Sequence, residues 1–337
     1  MTALDTCFLK ALSEAPSVGT ACAPVMRLLR TFFGEGWEAE FVSDGFCLFH
    51  CGAPEAIHTL YVSHVDEVGG CVYGPAGGED GGGWTTRHWG NTAQVFADAR
   101  LQAMDYLAES GDAAFDVSAR AVTTPSSGDV DLGQKLVLDG EAIRPYRTVF
   151  TFRQDAEIDG DLLSGKALDP RVTAYAAAEA ARTHSVPGVA ALFVMAEECA
   201  MEVARKAVVW LQRRAPNLRL IVNADVPSIG ALGEGRLDTP AIRIFEGRNF
   251  IDPTVGIRMA ERLERLGLTL HLTSSRSGSQ TVLFTPLAHT LSIALPSDGV
   301  HLPVVRMSLT GISRLVELLG AIPDEADTAN WEPDGLG

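Results

Sequence analysis

The arrangement of apolar and polar positions changes character three times along this chain. Thr6 to Phe33 reads as helical, with a break around Ala15–Gly19. Glu38–His50 and His58–Val65 read as strands; Tyr61 and Val62 are β-formers, and the glycines after Val68 end the second run. Gly69 to Trp84 holds paired glycines and the run GGEDGGGW, which reads as a flexible loop. A phosphate-cradling loop needs a strand before it and a helix after it at set spacing, and these glycines do not follow that pattern. From about Cys71 to Leu163 the chain is β-rich and loop-rich, with short strand candidates at Val117–Val122, Lys135–Leu138 and Arg147–Phe152.

From Lys166 onward the texture is different. Pro170–Thr183 is alanine-rich and favours helix. Ala190–Ala196 is an apolar run, followed by a charged stretch and a helix to Arg214. Leu218–Asp225 reads as a buried strand, Thr254–Leu266 as a helix and Leu268–Leu272 as a strand. Leu291–Leu295 is a further strand, and Ser308–Leu319 a last helix. Strands alternating with helices predict an α/β sheet covered on both faces. The tail after Pro323 is acidic and is expected to fray.

Composition narrows the functional classes. The 337 residues suit one large or two moderate domains, and 46% hydrophobic with 21% charged residues is an ordinary globular mix. A net charge of −16 repels phosphate backbones, which argues against nucleic acid as a partner. Asp5, Lys10 and Glu14 interrupt the N-terminal segment, so no signal peptide is legible. No run approaches the roughly 18 apolar residues of a membrane span. A soluble, cytoplasmic protein with no membrane partner is expected. Cys7, Cys22, Cys47, Cys51, Cys71 and Cys199 form no CxxC pair, and the CxxxC spacing of Cys47 and Cys51 is a poor zinc signature. Such thiols suit a reducing compartment.

Five short segments carry the candidate chemistry: His64-Val65-Asp66, Lys166-Ala167-Leu168-Asp169, Glu197-Glu198, Asn223-Ala224-Asp225 and Val300-His301. Each lies at or just after the end of an apolar run, and open α/β sheets bind ligands beyond the carboxyl ends of their strands. His64 and Asp66, two apart on an extended segment, share a face, so Asp66 could orient a metal-binding imidazole; taken alone, the spacing favours a surface His beside a surface Asp. Glu197 and Glu198 diverge as neighbours, so one could hold a metal while the other moves a proton. An acidic pair opening a helix explains them as well. Asp169 before Pro170 suits a helix N-cap, a geometry compatible with a bridging carboxylate. Asp225 ends a buried strand, where an unpaired carboxylate is costly. His301 alone reads as a loop histidine. No GxSxG elbow is present, and carboxylates beside Cys199 would raise a thiol's pKa, which argues against a cysteine nucleophile.

Taken in order, these segments resemble the signature of the M42 family of metallo-aminopeptidases, which includes glutamyl and tetrahedral aminopeptidases. SHVDEVGG resembles the family's His-x-Asp-Glu-x-Gly motif, SGKALDPRV its Gly-Lys-Ala-Leu-Asp-Asp-Arg motif and VMAEECA its paired-glutamate motif. VNADV resembles the strand-ending Asp motif, and GVHLP the final His. The resemblance implies an α/β fold: a mixed-sheet zinc-peptidase domain of phosphorylase/hydrolase-like type, residues 1–70 and 160–325, with an inserted β-barrel-like domain at 71–159 and an acidic tail at 326–337. It implies two divalent ions, zinc by default with cobalt or manganese also fitting. His64 and Asp225 would hold one, Glu198 and His301 the other, and Asp169 both. Glu197 would be the general base and Asp66 the partner of His64. Peptide substrates and a homo-oligomer, from dimer to dodecamer, follow from the same resemblance. An M20-like deacylase or dipeptidase and a non-catalytic scaffold are the rival readings. Three departures stand out: Pro170 replaces the second Asp, Ala200 and Val203 replace glycines, and Ser277-Gly278-Ser279-Gln280-Thr281 replaces Gly-Gly-Thr-Asp-Ala. In such co-catalytic peptidases the bridging Asp is often followed by a cis peptide, so the resemblance implies a cis Asp169–Pro170 bond, which proline makes far less costly.

Overall fold

A computed structural model of the chain describes residues 3–43, 45–76, 82–106, 114–123, 134–232 and 236–327. Helices α1 (Thr6–Glu14) and α2 (Ala23–Phe33) lead into the antiparallel hairpin β1 (Glu38–Val42) and β2 (Phe46–His50), then β3 (Thr59–His64). The single strand expected over Glu38–His50 is therefore two. Gly45 sits at their turn with φ 99°, a conformation open to glycine.

Strands β4 (Gly69–Pro75) and β5 (Trp84–Trp89), the short helix α3 (Ala93–Ala97), and β6 (Leu101–Asp105), β7 (Phe115–Thr123), β8 (Gln134–Asp139) and β9 (Thr148–Phe152) follow. The six strands close a barrel in the order β4-β5-β8-β7-β6-β9. Part of the stretch expected to be a loop is thus a strand, and residues 77–81 of it lie outside the described residues. Gly69 and Gly70 do not break that strand; they allow close approach. A Cβ at Gly69 would lie 2.3 Å from the Phe150 carbonyl oxygen, and one at Gly70 2.5 Å from that of Arg87. Val72, Phe96, Leu136, Leu138, Phe150 and Phe152 fill the barrel.

The chain then runs through β10 (Glu157–Asp159), β11 (Leu162–Gly165), α4 (Leu168–Thr183), β12 (Val189–Val194), α5 (Glu202–Arg214) and β13 (Leu220–Asp225). It continues through β14 (Ala241–Glu246), β15 (Asn249–Phe250), α6 (Pro253–Arg265), β16 (His271–Ser275), α7 (Thr281–Phe284), β17 (His289–Ala294), β18 (Val305–Ser308) and α8 (Leu309–Asp327). The strand expected to start at Leu268 starts at His271. Gly267, with φ 83°, ends α6, and Leu268 N–H returns to the Leu263 carbonyl at 3.1 Å, a helix-terminating bond that keeps Leu268 out of the sheet. Helix α8 passes the expected fraying point at Pro323, with Leu319 and Ile322 buried beneath it.

Nine strands make the main sheet, β1-β2-β12-β3-β13-β17-β14-β15 with β16 beside β14. Its centre, β12-β3-β13-β17, is parallel. These strands are apolar on both faces because both faces are covered. Helices α1, α2, α4, α6 and α8 contribute to the core on one side, and α5 to the core on the other. The alanines of α4 let that helix lie close against β3 and α8. The barrel is inserted between β3 and β12, so the chain forms the α/β sheet with an inserted barrel that its sequence implies. A small sheet, β10-β11-β18, sets the segment leading to Asp169 beside the segment leaving His301, with Gly165 opposite Val305.

Buried charge joins barrel to sheet. Lys166 Nζ lies 2.5 Å from Glu67 Oε1, and the Arg171 guanidinium 3.4 Å from the same oxygen. Ser17 N–H donates to Glu67 Oε1 at 3.0 Å, and the Thr151 hydroxyl of β9 donates to Oε2 at 2.8 Å. All four partners are buried. Glu67→Ala strands two buried cations and is expected to cost about 3–5 kcal/mol, read by urea unfolding. Burial outweighs Glu67 and pushes the Lys166 ammonium down to about 8. From there to the ordinary lysine value of about 10.4, the unfolded chain binds more protons at this group than the folded chain does. Wild-type stability relative to Lys166→Met should therefore rise across that interval, a trend that parallel unfolding series at several pH values will show.

Candidate metal centre

All seven candidate residues converge at the carboxyl ends of the parallel strands. His64 ends β3, opposite Val194 of β12, and Asp225 ends β13, opposite Ala294 of β17. Glu197 and Glu198 follow β12, Asp169 stands in the first turn of α4, and His301 lies between β17 and β18. The Asp169–Pro170 bond is cis, as expected. Ala167, Ala196 and His301 have positive φ values of 52°, 64° and 65°. Strain at non-glycine residues is thus placed beside the candidate side chains, where the surrounding structure must hold it.

The side chains form two groups that share one carboxylate. His64 Nε2 lies 3.3 Å from Asp169 Oδ1 and 3.8 Å from Asp225 Oδ1. His301 Nε2 lies 3.2 Å from Glu198 Oε2 and 3.7 Å from Asp169 Oδ2. Within each group the ligand atoms lie within 4.8 Å of one another. Asp169 therefore offers a separate oxygen to each group. Asp66 faces His64 Nδ1 at 3.5 Å, but its hydrogen bonds go elsewhere: it accepts from Glu197 N–H at 2.8 Å and Glu198 N–H at 3.1 Å. Behind Asp225, Arg243 is fully buried and donates to Oδ2 at 3.2 and 3.3 Å, to Ser292 at 2.8 Å and lies 2.9 Å from Glu246. This leaves Asp225 Oδ1 turned toward His64.

The electrostatics show an excess of negative charge. Burial first, then Asp225, Glu198 and Asp66, pushes Glu197 up to about 8, against the pull of His64. Burial and Asp169 likewise raise Glu198, while His301 opposes them. Burial disfavours charge on His301, yet Glu198 and Asp169 raise it to about 9. His64 is raised in the same way, by Glu197, Asp169, Asp225 and Asp66 against its burial. Burial would raise Asp225, but His64 and Arg243 lower it. Asp169 Oδ1 is buried with no hydrogen bond of its own, a costly state for a carboxylate that a cation relieves. Imidazole and carboxylate donors in two groups fit two divalent cations. Cys199 is no nucleophile at neutral pH, because partial burial, Asp66 and Glu198 push its thiol up to about 12.

No protein-family model matches the sequence, and no curated protein matches it. Solved structures do. The TET1 peptidase of Pyrococcus horikoshii, which can assemble into a tetrahedron or a large octahedral shell, aligns with a TM-score of 0.79 at 18% identity, over 94% of this chain and 98% of that one. The TET aminopeptidase of a marine-sediment thaumarchaeon aligns at 0.77 and 15%, over 94% and 96%. The fold is that of the tetrahedral aminopeptidases. An endoglucanase of Thermotoga maritima also has it, with a TM-score of 0.68 at 15% identity over 94% and 97% of the two chains. The tetrahedral-aminopeptidase fold therefore does not choose a substrate, and activity must be argued from the site.

On this aminopeptidase fold, two of the departures have a structural account. Val203 is buried in the core against Gly45, where a Cβ added at Gly45 would lie 3.3 Å from Val203 Cγ1. Ser279, Gln280 and Thr281 are buried against β13: Gln280 Nε2 donates to Asn223 Oδ1 at 3.2 Å, and Asn223 Nδ2 donates to Thr281 at 2.8 Å. Sequence reading missed Glu67, Arg243 and, in the barrel, Asn91. Arg243 did carry a signal, a charge between Ile242 and Ile244 in the otherwise apolar run Ala241–Phe245.

Proposed function

We propose that this chain is a dinuclear metallo-aminopeptidase that releases N-terminal residues from peptides. The observation that carries the reading is the pair of His and carboxylate groups sharing Asp169, with Glu197 beside them. In this reading His64 and Asp225 would hold one ion, Glu198 and His301 the other, and Asp169 would serve both, with zinc the default and cobalt or manganese alternatives. When bound, such ions supply Lewis acidity to a carbonyl and ease the deprotonation of water. The rest falls to the chain. Glu197, which stands outside both groups of ligand atoms, takes a proton during attack and returns it to the departing amine. Asp66 holds the main chain of Glu197 and Glu198 in register. The surplus of carboxylates favours a substrate's cationic α-amine, which makes the action exopeptidic.

The division into residues 1–70 with 160–325, an inserted unit at 71–159 and a tail at 326–337 belongs to this proposal, as does homo-oligomerisation. The assembly of the Pyrococcus horikoshii peptidase, on the same fold, supports the latter. Work in the cytoplasm is supported by cysteines that are unpaired in the structure. No helix among the described residues is long and apolar enough to cross a membrane.

The test is hydrolysis of aminoacyl-p-nitroanilides and their N-acetylated counterparts by chelator-dialysed protein given zinc, cobalt or manganese. Metal-restored cleavage of only the free-amine substrates is expected. Cleavage of acylated substrates would favour a deacylase, and release of sugar from a soluble cellulose would follow the endoglucanase relative. Metal at a hundredfold excess over its Kd should also raise the unfolding free energy by about 2.7 kcal/mol per site, read by calorimetry of dialysed and reloaded protein.

A further inference from the structure

We infer that the Gly90–Asn91 turn of the barrel is a positioning element for His301, fixing which ring nitrogen that residue presents to its ion. The inference rests on the two-metal reading above. His301 has φ 65°, a backbone state that a non-glycine residue keeps only when its surroundings impose it. The barrel supplies two such restraints. Asn91 Nδ2 donates to the His301 carbonyl at 2.7 Å, and His301 Nδ1 lies 3.1 Å from the Gly90 carbonyl oxygen.

A carbonyl oxygen only accepts, so Nδ1 must carry the proton in this contact. The lone pair of a neutral ring is then on Nε2, the nitrogen that faces Glu198 and Asp169. Metal-ligating histidines are oriented by a bond of this kind from the other ring nitrogen. The Asn91 amide is itself oriented: its Oδ1 accepts from Thr92 N–H at 2.9 Å, which turns Nδ2 toward His301.

The turn is held firmly from behind. Gly90 has φ 76°, and a Cβ there would meet Val68 at 2.1 Å, so the main chain is pressed between Val68 and His301. Thr92 caps α3, and Phe96 of that helix sits in the barrel core. A rigid path thus runs from barrel core to one ligand. His64 and Asp225, at the ends of sheet strands, have no such contact from the turn. The two metal positions therefore depend on the barrel unequally.

The experiment is a calorimetric titration of metal-free protein with zinc, comparing wild type with Asn91→Ala and Asn91→Asp. The second variant keeps an acceptor for Thr92 but faces the His301 carbonyl with a carboxylate. Wild type should take two ions. Both variants should keep one dissociation constant and weaken the other by about 10–100-fold. Nitrogen NMR of zinc-loaded, histidine-labelled wild type should show His301 protonated at Nδ1. Metal-free melting of the variants should match wild type, separating positioning from folding. Two unchanged dissociation constants in both variants, or an Nε2-protonated His301, would overturn the inference while leaving the metal centre standing. A wild type that binds no zinc would remove the two-metal reading and this inference with it.

Discussion

Glutamine at position 197 is expected to lower kcat by about 10²–10⁴-fold, the usual contribution of a positioned proton carrier. Glu197→Gln preserves the size of the side chain and removes its ability to hold the travelling proton. The main-chain bond from residue 197 to Asp66 does not depend on the side chain and should survive. Neither group of ligand atoms contains Glu197, so metal stoichiometry should stay at the wild-type value. KM for aminoacyl-p-nitroanilides should change far less than kcat, because the proton moves only during reaction. A metal-loaded variant whose kcat stays within tenfold of wild type would remove Glu197 from the mechanism.

Asp169→Asn should remove most of the stability that metal adds to the protein. Asp169 is the residue common to both groups, and its two oxygens face different histidines. Asparagine keeps the shape, but loses the charge and one acceptor. At metal concentrations a thousandfold above the wild-type Kd, wild type gains about 4 kcal/mol per site, and most of this should vanish in the variant. Activity should vanish with it. In metal-free protein the charge has neighbours of both signs: it repels Glu198 but attracts His64 and His301. The size of the metal-induced shift, not the metal-free melting temperature, is therefore the readout. Equal metal-induced shifts in the two proteins would show that Asp169 is not shared.

Legibility in the sequence followed locality. Alanine-rich α4, apolar β12 and β13, and the early helix pair were readable because propensity and burial act within one element. The barrel strands were harder. Gly69 and Gly70 look like loop residues until Phe150 and Arg87, brought alongside from distant sequence, show why no Cβ fits. Strand β14 was missed because Arg243 interrupts its apolar run, and that arginine is explained only by Asp225, Glu246 and Ser292 around it. Asp66 is a similar case. Its spacing from His64 suggested one partner, whereas its hydrogen bonds reach amides more than a hundred residues away.

The sequence by itself determined which chemical groups are available and their order, because His64, Asp169, Glu197, Glu198, Asp225 and His301 each end or follow an apolar run. Parallel strands then deliver such ends to one edge of a sheet. Tertiary structure alone decided that each Asp169 oxygen faces a different histidine, that Arg243 stands behind Asp225 and that a barrel turn supports His301. The physical reason is the same in each case. These contacts join residues whose sequence separation carries no periodicity, and their value comes from burial and charge that exist only once the sheet and barrel have packed together.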